Sequence, residues 1–345
     1  MRLFRLARLT FYAVFFFACA LGYYIYIQAL SSPLKNREYQ LTIPSGVGIS
    51  WLANHLEKQG VIDNKYIFRA YAFMNKRDLN IKAGDYTLVD IDNIPDLVSK
   101  VDQGKVIQYA ITLIEGETFK NYRAQLANNK ILKQELPDMS NAQIMRAIGS
   151  PGKHPEGQFA PQTYFYQKGM SDLDILKQAY KRLNNVLQAA WDTRASDVQV
   201  ETPYQLLTLA SIIEKETGAA FERPLISGVF NNRLKVGMKL QTDPTVIYGM
   251  GDAYDGNIRR KDLRTDTPYN TYTRYGLPPS PIAMAGEASI KAAANPQTTK
   301  AIFFVGKGDG THYFSETLKQ HNNAVIKYQL GGKPRDFSSY SNSKK

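Results

Sequence analysis

Cysteine occurs once in the 345 residues, at Cys19, inside a long apolar run. The remainder of the chain can therefore form no disulfide and has no thiol nucleophile, and its stability has to come from packing. Histidine is nearly as scarce. His55, His154, His312 and His321 show no H-x-x-x-H or H-E-x-x-H spacing, which argues against a zinc site. No G-x-S-x-G elbow is present, and Ser211 falls in the middle of an apolar helical pattern, so a serine hydrolase is disfavoured. Gly306, Gly308 and Gly310 are not followed by a helix opening on Lys-Ser/Thr and so make no phosphate loop. The basic residues are dispersed rather than clustered with stacking aromatics, which speaks against nucleic acid as a partner. No internal repeat is visible and no cofactor is implied. Carboxylate chemistry is what remains.

Charge is also missing from Leu9 to Leu30, a span of about the ~20 residues that cross a bilayer. Phe11, Tyr12, Tyr23, Tyr24 and Tyr26 set aromatic rings toward its two ends, as an interfacial belt requires. Arg2, Arg5 and Arg8 precede it without an acidic residue. The positive-inside rule then predicts residues 1–8 in the cytoplasm, a single-pass transmembrane helix over 9–30, and everything after Ser31 outside. Ala18-Cys19-Ala20 resembles a signal-peptidase site, but the apolar run continues well past it, which favours a retained anchor. Setting aside those three arginines from the 43 basic residues leaves 40 against 31 acidic ones. That surplus suits an anionic polymer or a membrane surface.

After a short linker, residues 38–110 read as a small α+β module. A strand over Tyr39 to Ile43 leads into a helix with Ile49, Leu52, Ala53 and Leu56 on one face, ended by Gly60. A second helix is expected to face inward through Ile67, Tyr71 and Met74, and a third through Ile94, Leu97, Val98 and Val101, stopping at Gly104. Strands are expected over Gly84 to Leu88 and Val106 to Leu113. From Gly116 helices dominate: Phe119, Tyr122 and Leu126 mark one, and Ser171 with Asp174 caps a longer one. The segment from Phe303 to Phe314 reads as a hairpin with glycines in its turn, and the polar tail 333–345 as flexible. The fold class is thus α+β: a transmembrane helix, a small module, and a larger, mainly helical domain over 111–332 with β-hairpins.

Within that domain the stretch from Glu201 to Gly249 carries the strongest functional signal. Thr202, Pro203 and Gln205 form a helix start, Leu206, Leu209, Ala210 and Ile213 an apolar stripe widened by Leu207 and Ile212, and Gly218 the expected stop. Glu214 and Glu216 then fall on the last turn of a mostly buried helix, where desolvation can raise a carboxyl toward a useful general acid. Two residues apart, they point to nearly opposite sides, and spacing alone does not choose between them. Gln241, Thr242, Asp243, Thr245, Tyr269, Asn270, Thr271 and Tyr272, with Asn232, offer the amides, hydroxyls and flat rings that hold sugars. Arg233 is placed to pair with Glu216 or another buried acid.

Several motifs here are similar to those of the YceG-like family of endolytic murein transglycosylases. They are Ser211-Ile-Ile-Glu214-Lys-Glu216, Asn232-Arg-Leu234, Leu240-Gln-Thr-Asp-Pro-Thr-Val246, Tyr269-Asn-Thr-Tyr272, Gly276-Leu-Pro-Pro279, Asn295-Pro296 and the His312/Phe314/His321-Asn322 ending, with Glu156-Gly157 upstream. The chain departs from the family at Pro161-Gln-Thr-Tyr164, where Pro-Asp-Thr-Tyr is common, and at Ser280-Pro-Ile-Ala-Met-Ala-Gly286. The resemblance implies a lytic transglycosylase that cuts the MurNAc-GlcNAc bond within nascent peptidoglycan strands and leaves 1,6-anhydroMurNAc ends. It implies Glu214 as the single acid and base, a LysM-like character for residues 38–110, and peptidoglycan synthases (penicillin-binding proteins) as partners. Residues 38–110 read either as a plain spacer or as a glycan-docking unit, in which case Lys58, Lys65, Arg69 and Tyr71 would supply the binding. The competing readings are a peptidoglycan-binding scaffold without activity, and a muramidase that pairs Glu214 with Asp243.

Overall fold

The computed structural model describes residues 2–75 and 81–333, for residues 2–7 the backbone alone. The expected flexible tail lies outside the described residues, apart from Lys333. Among the described residues the chain is mainly helical with three two-stranded sheets, and it divides into two compact units.

The first unit comprises Met1–Tyr109 and Phe165–Gly169. Helix α1 (Arg2–Ser31) is followed by β1 (Leu41–Ile43), α2 (Ile49–Lys58), α3 (Lys65–Asn75), β2 (Gly84–Tyr86) and α4 (Ile94–Gln103). Strand β1 pairs antiparallel with β2, Leu41 opposite Tyr86. Leu52, Leu56, Phe68, Leu97 and Val101 build the core, and Leu30 at the end of α1 and Leu34 just after it join it. Helix α4 shows why its limits were legible. Asn93 caps it by accepting from the Asp96 N–H, and Gly104 ends it in the left-handed conformation that glycine adopts without steric cost. Helix α3 departs from the expectation. Phe68 and Ala72 are its buried residues, while Met74, expected inside, is 68% exposed.

The second unit holds Ala110–Tyr164 and Met170–Lys345. Strands β3 (Tyr109–Thr112) and β4 (Thr163–Tyr166) pair with each other and begin or end in it. Between them lie α5 (Phe119–Ala127) and α6 (Asn141–Ala147). There follow α7 (Asp172–Asp192), α8 (Pro203–Glu216), α9 (Arg223–Lys235), α10 (Asp243–Met250), α11 (Arg260–Arg264) and α12 (Glu287–Ala294). The antiparallel hairpin β5 (Phe303–Gly306) and β6 (His312–Ser315) and helix α13 (Leu318–Tyr328) complete it.

Helix α8 is the axis of this unit. Thr202 caps it by accepting from the Gln205 N–H at 3.2 Å. Every residue from Leu206 to Ile213 is buried, because α7, α9, α10 and α12 all pack on it. Truncating one of its leucines to alanine would cost about 2 to 5 kcal/mol on the usual scale for core cavities. Its end differs in detail from the expected glycine stop: Thr217 turns extended immediately after Glu216. The Thr217 hydroxyl there donates to Glu222 and accepts the Ala219 N–H, so a side chain rather than Gly218 ends the helix.

Candidate functional site

The buried sides of α8 fix the position of the two glutamates that follow. Ser211 and Glu214, nearly one turn apart, each hold one rung of the segment 280–286. The Ile282 N–H donates to Ser211 Oγ at 3.0 Å, and the Gly286 N–H to Glu214 Oε2 at 2.9 Å. The other carboxylate oxygen of Glu214 lies 3.4 Å from Arg223 Nη2, and the side chain is only 5% exposed. Arg223 also lies 3.8 Å from Glu115 Oε1, whose side chain is 54% exposed.

Glu115 reaches this place because its loop is tied down on all sides. The Gly116 N–H donates to Met284 O, the Met284 N–H to Glu117 O, and Lys215 Nζ to Gly116 O. The Phe119 N–H donates to Glu156 Oε1 at 3.0 Å, and Tyr248 donates its hydroxyl to the other oxygen at 3.2 Å. Burial pushes the Glu156 carboxyl up to about 7, against the pull of these donors. Gly286 sits where two carboxylates meet. A Cβ there would collide with Glu115 Oε2 and come within 3.2 Å of Glu214 Oε2.

Glu216 faces a different set of groups. Its Oε1 accepts a short bond from the Thr242 hydroxyl. Burial, reinforced by the nearby Asp243 charge, pushes its carboxyl up to about 7, opposed by the Thr242 bond, His312 and Arg233. Thr242, Asp243, Thr245, Thr271 and Tyr272 gather on this side. Thr245 Oγ1 donates to Thr242 O at 2.8 Å and bonds Thr271 Oγ1 at 2.9 Å, and the Thr242 N–H donates to Thr271 Oγ1 at 3.1 Å. Tyr272 donates its hydroxyl to Asp243 at 2.5 Å. Gln241, whose side chain is exposed, has a φ of 50°, which a non-glycine residue adopts only where its surroundings hold it there. Here its N–H donates to Thr271 O.

Three of the expected sugar-holding residues stand elsewhere. Tyr269 shares a hydrogen bond with Ser280 at 2.7 Å and packs edge-on against Tyr248. Asn270 is 1% exposed, its amide donating to the carbonyls of Asp262, Leu263 and Thr265 and its oxygen accepting the Tyr272 N–H. Asn232 donates to the carbonyls of Thr299 and Ala301. Asn232 and Asn270 are therefore loop clamps in this structure, since buried amides are spent on backbone that would otherwise lack partners. Arg233, expected to pair with an acid, donates instead to the carbonyls of Ile302 and Leu240, and burial lowers it to about 10. Asp243 lies near Glu216 and accepts the Tyr272 hydroxyl.

The remaining motifs have defined places. His312 donates its N–H to Glu222 Oε1 and its ring nitrogen bonds Glu222 Oε2 at 2.7 Å, tying β6 to the start of α9. Gly276-Leu-Pro-Pro279 lines, with Thr202, Gln205 and Thr208, a cavity of about 470 Å³ along the first turns of α8. Glu115 and Arg223 were not singled out in the sequence. Glu115-Gly116 ahead of a capped helix and Arg223-Pro at a helix start were visible, but nothing local connects residues about a hundred positions apart.

The YceG-like family profile matches residues 41–327. The chain belongs to this family. A relative from Bacillus subtilis (strain 168), named endolytic murein transglycosylase, is 34% identical over 333 residues, which cover 89% of this chain and 90% of that protein. A protein of the same name from Streptococcus pneumoniae (serotype 2, strain D39) is 26% identical over 347 residues. That alignment covers 89% of this chain and 62% of the longer relative. The crystal structure of a YceG-like protein from Listeria monocytogenes is 31% identical and superposes with a TM-score of 0.52, covering 83% of this chain and 98% of that one.

Proposed function

We propose that this YceG-like chain is an endolytic murein transglycosylase, a lyase that cuts inside peptidoglycan glycan strands, with Glu214 as its acid and base. The observation that carries the assignment to Glu214 is its carboxylate, aimed by the Gly286 amide and Arg223 while its neighbour Glu115 opens to solvent. Protonated Glu214 gives its proton to the glycosidic oxygen as the bond to MurNAc C1 breaks. The resulting carboxylate takes the proton of the MurNAc C6 hydroxyl as that oxygen bonds to C1, which closes the 1,6-anhydro ring without consuming water. General acid and base help of this kind contributes roughly 10² to 10⁴ in rate. On the Glu216 side, Gln241, Asp243 and Tyr272 are the groups offered to a glycan, with the buried Thr242, Thr245 and Thr271 packed beside them.

One observation favours Glu216 in the acid role: its proton affinity near neutrality is that of a working general acid. Against it stand its short bond to Thr242 and its place in a packed threonine cluster. The purified exported part, digesting glycan strands, tests both readings. The expected products carry anhydro ends, lighter by one water than hydrolysed ends. Glu214→Gln should abolish them, with the melting temperature and strand binding unchanged, while Glu216→Gln should retain turnover. The opposite pattern moves the role to Glu216, and products one water heavier would make the enzyme a hydrolase.

The anchoring reading belongs to the same proposal. One helix, Arg8–Ser31, is long and apolar enough to cross a membrane. With the arginines before it, this supports a single-pass inner-membrane protein with its catalytic unit in the periplasm, beside peptidoglycan synthases. The two helices α2 and α3 between paired strands β1 and β2 support residues 38–110 as a compact LysM-like module.

A further inference from the structure

Helix α3 is apolar on its outward face as well as on its inward one. Its outward face carries Tyr66, Ala70, Phe73 and Met74, at the spacing of one helical stripe, and Arg69 is the one charged residue among them. Tyr66, Phe73 and Met74 are 66%, 72% and 68% exposed. The helix has no acidic residue at all. Lys65, its other cation, pairs with Glu57 at 3.1 Å, and Tyr71 packs against the core.

The neighbour of α3 says what covers this face. Helix α3 packs on α1, and the two run in opposite directions. Asn64 and Ile67 share a small cavity with Ala29, Ser32 and Pro33 at the end of α1. One turn further along α3, Tyr71 lies beside Tyr26, a turn earlier in α1. Continued along both helices, this pairing sets Phe73 and Met74 beside the last turns of the apolar run. Only Tyr26, Ala29 and Leu30 of that final stretch face the first unit. Tyr23, Tyr24, Ile25 and Ile27 are exposed around it.

We propose that α3 is an interfacial membrane helix, which sinks its Phe73 and Met74 end into the outer face of the bilayer while Tyr66 and Arg69 lie among the lipid headgroups. This rests on the reading of α1 as a membrane anchor. A rigid helix beside the anchor reaches the bilayer at the depth where tyrosines collect. A cationic, acid-free stripe with aromatic and thioether side chains is what an interface of anionic headgroups and acyl chains takes up. The first unit would then be held at a fixed tilt to the membrane, which limits the height at which it meets a glycan strand.

The test uses the full chain in phosphatidylcholine and phosphatidylglycerol vesicles containing lipid with a nitroxide near the headgroup. Cysteine is removed by Cys19→Ser, and a small fluorophore is attached in turn through Phe73→Cys, Tyr66→Cys and, within the anchor, Phe16→Cys. The label at position 73 should be quenched strongly by the nitroxide and weakly by aqueous iodide, and the label at 66 less by lipid and more by iodide. A position-73 label open to iodide and untouched by lipid, beside a position-16 label shielded from iodide, overturns the inference alone and leaves the face to a protein partner. Iodide access at both positions overturns the anchor and the inference together.

Discussion

At the scale of single residues, the site depends on how closely two carboxylates share the space beside Gly286. That glycine has φ −68° and ψ 159°, which any residue tolerates, so Gly286→Ala tests crowding rather than backbone strain. The added methyl has to displace Glu115 and press on Glu214. Small displacements of a catalytic group cost rate more than stability, so turnover should fall by roughly tenfold or more while the melting temperature hardly moves. Steady-state kinetics on glycan strands beside a thermal melt reads both. Glu216 offers a test of a different kind. In the folded protein it takes up its proton at about 7, against 4.5 for the free group, because burial disfavours its charge. The native state thus binds a proton that the unfolded chain has released, and stability falls as pH rises through this interval. Ionised Glu216 costs stability above about pH 7, and the cost disappears toward the unfolded value of 4.5. Glu216→Gln, which keeps an acceptor for Thr242, should therefore raise the melting temperature at alkaline pH and leave it unchanged near 4.5. A gain that is the same at both pH values would show that the charge is not what matters.

At the scale of elements, α8 can present Glu214 and Glu216 because four helices bury it and leave its last turn to meet the loops. The loop from Asp262 to Tyr272 illustrates how such ends are held. It contains little regular structure, and one side chain, Asn270, satisfies three of its carbonyls. Asn270→Ala should destabilise the second unit by about 2 to 3 kcal/mol, since buried backbone acceptors would lose their donors. Denaturant unfolding measures that loss, and turnover per folded molecule should suffer less than stability does. An unchanged midpoint with lost glycan binding would instead make Asn270 a substrate contact, as its residue type first suggested. Helix α3 shows the limit of reading periodicity: a helix with apolar residues on both faces does not reveal which face is inward.

At the scale of the whole molecule, the apolar N-terminal helix bears on where the protein acts. The uncharged span and the arginines before it predict an exported catalytic unit. A C-terminal alkaline phosphatase fusion should be active, and a C-terminal fluorescent protein that folds only in the cytoplasm should be dark. The protein should stay in the membrane fraction after a carbonate wash. A soluble mature form beginning at Leu21 would instead establish a cleaved signal peptide.

Much of this protein was determined locally and could be read from the chain alone. Caps such as Thr202 before α8 and Ser171 before α7, the glycine end of α4, and the β5–β6 hairpin depend on residues a few positions apart, and the structure has them. The apolar anchor run and the position of the two glutamates at the end of a buried helix are likewise properties of a short window. Tertiary structure decided everything that joins distant segments. It sent Glu214 to Gly286 and Arg223 but Glu216 to Thr242, spent Asn232 and Asn270 on loop carbonyls, and brought Glu115 to the same glycine. It also turned Phe73 and Met74 outward beside α1. Hydrogen-bond partners and burial are fixed by which surfaces meet, and no periodicity within one segment encodes the segment that will pack against it.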